Sequence, residues 1–380
     1  MNMPDAMNMP DIKSGFLRAY FIYDIADSIN LRGIKSPEGS EFTPQPLQLL
    51  DVPSPAYIQF VVPPMVANLK PVSGSLGEFL VQVKIYDYGT VSIRLSQSYA
   101  GSWQEFLAAS RKLRISPEIM QAVQKILEDV VPALETALRK PHPQAQQRDL
   151  LEDYYVAEVE SFVTEITATE LLRDKRLALA HLVSLEDKPL SALQIDESLK
   201  ECFAYCEHEL AVITWDQAFI YDDRTGADTV NAIIEFANTQ LAELRVYDKR
   251  LDRHLDEIYK GKSESVRMGF LQSFTSNRLL AEKQAERLRL LLVDVRELSD
   301  RATNAIKIIG CAYYARLYGG ISARLGLKQW QEQVETKLDS VGEVYRYTND
   351  QAELARSEFL EMIVIFLIAL EVIIGVFFRH

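Results

Sequence analysis

The sequence predicts an α+β protein, with two hairpin-plus-helix units forming an antiparallel sheet with packed helices, then long helices and a C-terminal transmembrane helix. Three observations lead to this prediction. The run FLVQVKIYDYGTVSIRLSQS alternates apolar and polar residues around a glycine, as a β-hairpin does. Apolar residues recur at helical spacing after Asp228. The chain ends in the apolar run LEMIVIFLIALEVIIGVFFRH. We expect the helices of the two units to cover one face of the sheet.

The first hairpin turns at Asp87-Tyr88-Gly89, because glycine accepts the positive φ that such turns require. A short helix is expected at 24–31. Ser102 begins a capping box ahead of a predicted helix. The predicted helices of this unit cover about 103–113 and 117–139.

The second unit repeats this outline. A strand is predicted at 153–164, helices are predicted around 168–183 and 196–207, and a hairpin turns at Asp216-Gln217. Asp228 is expected to cap the following helix. The region after it has apolar positions at intervals of three and four, which is typical of long antiparallel, locally coiled-coil-like helices.

The predicted domain boundaries follow from these elements and from the N-terminus, which contains the pentapeptide MNMPD twice and lacks the features of a secretion signal. They are 1–15 disordered N-terminus, 16–140 first α+β unit, 141–151 linker, 152–227 second α+β unit, 228–356 long helical region and 357–380 C-terminal transmembrane anchor.

The anchor prediction depends on length and hydropathy. Thirteen Ile, Val, Leu and Phe residues between Met362 and Phe378 contribute about −6 kcal/mol to insertion, against roughly +3 kcal/mol for Glu371. A buried core helix is the alternative. The sequence therefore predicts a tail anchor in the inner (cytoplasmic) membrane, with the N-terminal body in the cytoplasm.

Three residues of this segment form the predicted association site, namely Glu361, Glu371 and Gly375. They lie on one heptad-like seam, where Gly375 lets two backbones approach closely and Glu371 can hydrogen-bond across helices. The seam predicts a homo-oligomer, or contact with another membrane protein. The alternative is a neutral carboxylic acid that the lipid tolerates.

The sequence carries none of four common catalytic and nucleotide-binding signatures. No GxxxxGK[ST], GxGxxG, HExxH or GxSxG pattern occurs. On a predicted helix, Cys202 and Cys206 would share a face while His208 would point elsewhere, so core cysteines are favoured over a metal site. Trp215-Asp216 with Tyr221-Asp222-Asp223 could bind a cation, but a hairpin turn and its exit loop explain the same residues without a ligand. No catalytic residue, cofactor or metal is predicted.

The net charge of −13 argues against nucleic acid as a partner, because phosphate binding needs concentrated Lys and Arg. With 48% apolar and 25% charged residues, the composition is that of an ordinary folded protein.

The terminal run also resembles a known family. Leu360-Glu361-Met362, the run IVIFLIAL and Glu371 are similar to the Leu-Glu-Trp…Glu ending of the "required for meiotic nuclear division" family, with Met362 in place of Trp. The segments IYDYGTVSI and ARLGLKQWQEQVETKLDSVGEVY resemble its hairpin and pre-anchor helices. The resemblance implies a prokaryotic-type, membrane-anchored member without assigned catalytic residues.

Together these features predict a membrane-anchored cytoplasmic scaffold or interaction protein that self-assembles through its long helices and its anchor. The alternative is an unrecognised enzyme or a nucleotide- or RNA-binding module in the α+β body, supporting translation at the membrane.

Overall fold

In the computed structural model, the chain divides into two compact units. Unit 1 comprises residues 1–246 and 300–329, and unit 2 comprises 247–299 and 330–380. The residues that the structure describes are 9–34, 42–46, 62–142, 151–265, 311–343, 346, 357, 361, 363–365, 367 and 368.

A nine-stranded sheet forms the centre of unit 1, and a two-stranded sheet, β2-β7, accompanies it. The order in the large sheet is β3-β4-β5-β6-β1-β8-β11-β10-β9. The strands are β1 Ile12–Asp24, β2 Ala26–Ile29, β3 Gln45–Pro46, β4 Met65–Gly74, β5 Gly77–Ile85, β6 Thr90–Gly101, β7 Leu138–Pro141, β8 Leu151–Phe162, β9 Cys202–Phe203, β10 Leu210–Ile213 and β11 Gln217–Tyr221.

The sheet is mixed, so the expectation of a purely antiparallel sheet is wrong. β8 and β11 pair in parallel, with Gln217 opposite Tyr155, whereas the other neighbouring strands that the structure describes are antiparallel. The parallel pair arises because the chain leaves β8 through helices before it returns at β11.

A 3-10 helix spans Leu31–Gly33, and eight longer α-helices are described before residue 344. They are α1 Trp103–Ile115, α2 Pro117–Leu134, α3 Ala168–Asp174, α4 Arg176–Ser184, α5 Ala192–Ser198, α6 Arg224–Ser265, α7 Ala312–Arg324 and α8, residues 327–343.

Two of the local predictions match the structure closely. The turn between β5 and β6 contains Gly89 with φ of +100°, and the Tyr86 N–H donates to the carbonyl of Thr90 at 2.9 Å. The hydroxyl of Ser102 accepts a hydrogen bond from the backbone N–H of Glu105 at the start of α1.

Three local predictions are wrong. Asp24 ends β1 and Ala26–Ile29 form the strand β2, so no α-helix spans 24–31, because β7 supplies β2 with a pairing partner from more than 100 residues away. α6 begins at Arg224, so Asp228 lies within the helix and does not cap it. The helix predicted around 196–207 does not form, because α5 ends at Ser198 and the strand β9 follows at Cys202–Phe203.

One face of the large sheet is apolar. Side chains of β1, β5, β6, β8 and β11 pack there with residues of α1 to α5 in a single core, of which Phe21, Ile93, Phe106, Leu127 and Phe219 are fully buried members.

The opposite face carries polar residues and is covered by α6. Tyr20 of β1 donates to Asn231 at 3.0 Å, and Lys84 of β5 forms an ion pair with Glu235. Helices therefore cover both faces of the sheet, and the expectation of helices on one face is wrong. The alternation of polar and apolar residues along β5 and β6 indicates which side chains share a face, but not what covers that face.

The predicted C-terminal transmembrane helix is not supported, and with it fall the tail anchor and the inner-membrane localisation. Among the described residues, none of the helices combines the length and the apolar character that a bilayer crossing requires. A physical reason lies in the position of the two carboxylates. The uncharged run between Glu361 and Glu371 is nine residues, 362–370, which makes about 14 Å of helix against a hydrocarbon core of about 30 Å.

Candidate functional site

Of the three residues predicted for helix association, the structure describes one. Glu361 is helical and exposed, whereas Glu371 and Gly375 lie outside the described residues.

Aliphatic side chains follow Glu361 and are unusually exposed. Val364 and Ile368 expose 53% and 56% of their surface, and the set of exposed aliphatic residues is Ile363, Val364, Ile365, Leu367 and Ile368. Scattered exposed aliphatic residues are normal, but several within one helical turn or two mark an interaction surface. We call this set the apolar segment.

The described helices of unit 2 associate through the spacing that the sequence predicts. Val334, Leu338 and Val341 of α8 are buried, as is Leu251 of α6. The Lys337 Nζ atom lies 2.7 Å from a carboxylate oxygen of Asp248 and 2.7 Å from one of Asp252. An apolar seam flanked by ion pairs therefore holds the second half of α6 against α8.

In unit 1, a cavity of about 500 Å³ opens beside the β10–β11 turn. Its walls come from the ends of α1, α4 and α7, from α5, and from the turn itself. The residues that line it include Arg114, Leu190, Glu197, Trp215, Asp216 and Arg324. We call this space the turn cavity.

Two guanidinium–carboxylate pairs line the turn cavity. Arg114 at the end of α1 contacts Asp216, and burial raises the pKa of that carboxyl despite the arginine. Arg324 at the end of α7 donates from Nη1 to Glu197 Oε1 at 2.7 Å and from Nη2 to the Glu197 carbonyl at 2.5 Å. The sequence patterns did not identify this site, because its residues come from five separate elements.

The turn prediction for Trp215-Asp216 agrees with the structure. Thr214 Oγ1 donates to the Gln217 carbonyl at 2.7 Å and accepts from the Gln217 N–H at 3.1 Å, which closes the turn. Trp215 nevertheless stays 68% exposed at the cavity wall, with Arg114 Cζ 5.9 Å from its ring centroid.

The cysteines and His208 do not converge on a metal site. The Cys202 thiol in β9 donates to the Leu199 carbonyl at 2.9 Å, and burial raises its pKa to about 11. Cys206 is exposed, and the hydrogen bond to Glu209 raises its pKa. Throughout the part of the chain that the structure describes, no group of three or more His, Cys, Asp or Glu side chains could hold a metal ion.

A second acidic position lies where β11 enters α6. Asp222 is 6% exposed, and burial, followed by the charges of Glu209 and Asp223, raises its pKa to about 7. Its carboxylate occupies the space beside Gly226, where an added Cβ would lie 2.3 Å from the carboxylate oxygens.

The buried contacts between the sheet and α6 form what we call the polar layer, made of Arg18, Tyr20, Lys84, Glu158, Asn231 and Glu235. Glu158 accepts from Arg18 Nε at 2.8 Å, from Arg18 Nη2 and from Asn231 Nδ2. Glu152 and Arg245 form a further pair beside it, in which burial raises the Glu152 pKa to about 7. The sequence predicts helices on one face of the sheet only, so it does not predict that α6 covers these strand residues.

The fold and the turn cavity define an α+β protein with a mixed sheet, helices on both faces and a pocket of ligand size. The chain belongs to the family described as "Uncharacterized protein MJ0711, N-terminal domain", which matches residues 14–229. The predicted membership of the "required for meiotic nuclear division" family is therefore wrong. The motifs behind that prediction were short apolar patterns, which many unrelated helices and strands share.

A relative from Methanocaldococcus jannaschii, described as "Uncharacterized protein MJ0711", is 23% identical over 204 residues, which is 54% of this chain and 60% of the relative. The chain thus matches less than two thirds of that relative's length. No solved structure matches the chain significantly.

Proposed function

We propose that this protein is an interaction protein that assembles with a second copy of itself through its C-terminal helical segment. The observation that carries the proposal is the exposure of Val364 and Ile368, 53% and 56%, on the seam that begins at Glu361. Leaving such side chains in water forgoes about 25 cal/mol for each Å² of apolar surface that a partner would bury.

The spacing of the segment favours another copy of the same chain as the partner. Successive seam positions follow at intervals of three, four, three, four and three residues, namely Glu361, Val364, Ile368, Glu371, Gly375 and Phe378. A heptad seam is complementary to itself, because the knobs of one helix fit the holes of an identical helix. Closed two-fold pairing is the commonest result of such an interface.

The helices of unit 2 support the proposal by analogy within the molecule. There the same spacing, Val334 to Leu338 to Val341, buries an apolar seam beside the ion pairs of Lys337. An apolar seam of similar spacing at 361–378 would need a partner helix of the same kind.

The test measures the mass of the full chain in solution by light scattering across a concentration series. A single chain has a mass of 43.2 kDa, so a dimer is easily distinguished. We expect wild-type protein to form the dimer and the double variant Val364→Glu/Ile368→Glu to be monomeric, because two charges would be buried on each side of the seam.

Val163→Glu/Leu193→Glu is the matched control. It introduces the same two charges at exposed aliphatic residues of unit 1, outside the apolar segment, so the dimer should persist. A monomeric wild-type protein at about 100 µM, or equal loss of mass in the control, would disprove the proposal.

A further inference from the structure

The turn cavity of unit 1 carries an inference independent of assembly. With a volume of about 500 Å³ it lies within the range of about 300–1,000 Å³ that small-molecule sites occupy. Its lining combines both signs of charge with an exposed indole and the aliphatic side chain of Leu190.

Four of the five charged residues that line the turn cavity form two pairs of opposite charge, and the fifth is Glu186. Arg114 contacts Asp216, and Arg324 holds Glu197 with two hydrogen bonds of 2.7 and 2.5 Å. A free anion that took the place of Asp216 at Arg114, or of Glu197 at Arg324, would displace that carboxylate. The displaced carboxylate would then face the cavity without a partner, and Asp216, which is 6% exposed, would have little water to replace it. A free cation meets the reverse difficulty.

A ligand with both charges avoids this cost. Its anionic group can take the place of a carboxylate at a guanidinium while its cationic group takes the place of a guanidinium at a carboxylate, so that each charge keeps an opposite partner. The Nε atom of Arg324 is buried and has no hydrogen-bond partner among the described residues, so a shift of this guanidinium towards a ligand would break no hydrogen bond at Nε.

The apolar part of the cavity wall can hold the side chain of such a ligand. Trp215 is 68% exposed, although a large aromatic side chain gains by burial, and Leu190 also lines the cavity. An apolar group placed against the indole would recover part of that burial.

We propose that the turn cavity binds a small zwitterion of the α-amino acid class. The ligand carboxylate lies at Arg324 and Arg114, the ammonium group lies at Asp216 and Glu197, and the side chain lies against Trp215.

The test uses the full chain. Each of the twenty standard amino acids is screened at 10 mM by thermal shift, and binding is then measured by isothermal titration calorimetry. L-Phenylalanine is compared directly with 2-phenylethylamine, which lacks the carboxylate, and with 3-phenylpropanoate, which lacks the ammonium group. We expect at least one amino acid to raise the melting temperature. We also expect both phenyl analogues to bind at least tenfold more weakly than L-phenylalanine.

Variants locate the site. Arg324→Gln and Asp216→Asn should each weaken binding at least tenfold. Trp215→Leu serves as a second probe, because an exposed residue can be changed with little risk to folding. Arg173→Gln is the matched control, since Arg173 pairs with Asp174 on an exposed surface and does not line the cavity.

Three results would overturn the inference. They are the absence of any shift with all twenty amino acids, binding of an analogue as tight as that of L-phenylalanine, and binding that survives every cavity variant. Loss of the dimer in solution would leave this inference unaffected, and absence of amino acid binding would leave the assembly proposal unaffected.

Discussion

Replacing Glu158 by leucine would remove the central acceptor of the polar layer. Glu158 is fully buried and accepts two hydrogen bonds from Arg18, at 2.8 and 2.7 Å, and one from Asn231 at 2.6 Å. Arg18 is 5% exposed, so the substitution leaves a buried guanidinium without its main partner.

The magnitude follows from what Arg18 retains. Breaking a buried ion pair by removing one partner costs about 3–5 kcal/mol. The cost should fall in the lower half of that range, because Arg18 Nη2 also lies 3.6 Å from Asp228 and its Cζ lies 4.8 Å from the ring centroid of Phe16. We therefore expect Glu158→Leu to lower the free energy of unfolding by about 3–4 kcal/mol. At roughly 2–4 °C for each kcal/mol, the melting temperature should fall by about 6–16 °C.

The double variant Arg18→Met/Glu158→Leu distinguishes the energy of the ion pair from that of side-chain packing at the same positions. With both charges removed, the desolvation cost disappears, so its stability should lie within about 1 kcal/mol of wild type or above it. Arg18→Met alone should cost about 3–5 kcal/mol, because it leaves Glu158 buried without its main partner. The coupling energy of this double-mutant cycle, which is the two single costs less the cost of the double variant, should then be about 5–9 kcal/mol.

The assay is urea denaturation followed by far-UV circular dichroism, with Arg173→Gln as the control for an exposed pair, which should change stability by less than about 1 kcal/mol. If Glu158→Leu costs less than about 1 kcal/mol, or if the double variant is as unstable as the sum of the single ones, the buried pair does not act as argued.

Three further predictions test other parts of the molecule. The pKa of Asp222 is raised to about 7 in the folded chain, against about 3.9 when unfolded, so its contribution to stability is present below about pH 4 and is lost as the pH rises to about 7. Asp222→Asn should therefore flatten the fall in the urea midpoint between pH 4.5 and 7.5, and parallel curves for the two proteins would contradict this. Gly89→Ala should lower stability by about 2–3 kcal/mol in the same assay, because φ is +100° there and an added Cβ would lie 1.7 Å from the Ala26 carbonyl oxygen. An unchanged midpoint would show that the turn relaxes. If the proposed dimer forms, Glu371→Leu should tighten it about tenfold in sedimentation equilibrium, because a carboxylate in an apolar seam costs about 1–3 kcal/mol. Weaker association would argue that Glu371 bonds across the seam.

Local signals in the sequence were sufficient for several elements. Gly89 marked the turn of the first hairpin, because glycine has no Cβ and therefore tolerates the positive φ that the turn requires. Ser102 marked the start of α1, because a cap bonds to an N–H only three residues away. The spacing of Val334, Leu338 and Val341 marked a helix with one buried side.

The turn cavity could not be found in this way. Arg114 and Asp216 are about a hundred residues apart in the chain, and Arg324 follows a further hundred residues on, yet all three line one space. No spacing rule relates positions whose proximity depends on how five elements pack.

The sequence by itself determined that this chain forms strands and long helices, because turn chemistry, caps and periodicity act within a few residues. Only the tertiary structure decided what each face meets. Lys84 and Glu235, 151 residues apart, pair under α6, although the alternation along β5 is equally consistent with a side chain in water. The same limit applies to the C-terminal apolar run. Hydropathy measures how strongly a segment avoids water, but not whether lipid, the protein core or another chain replaces that water.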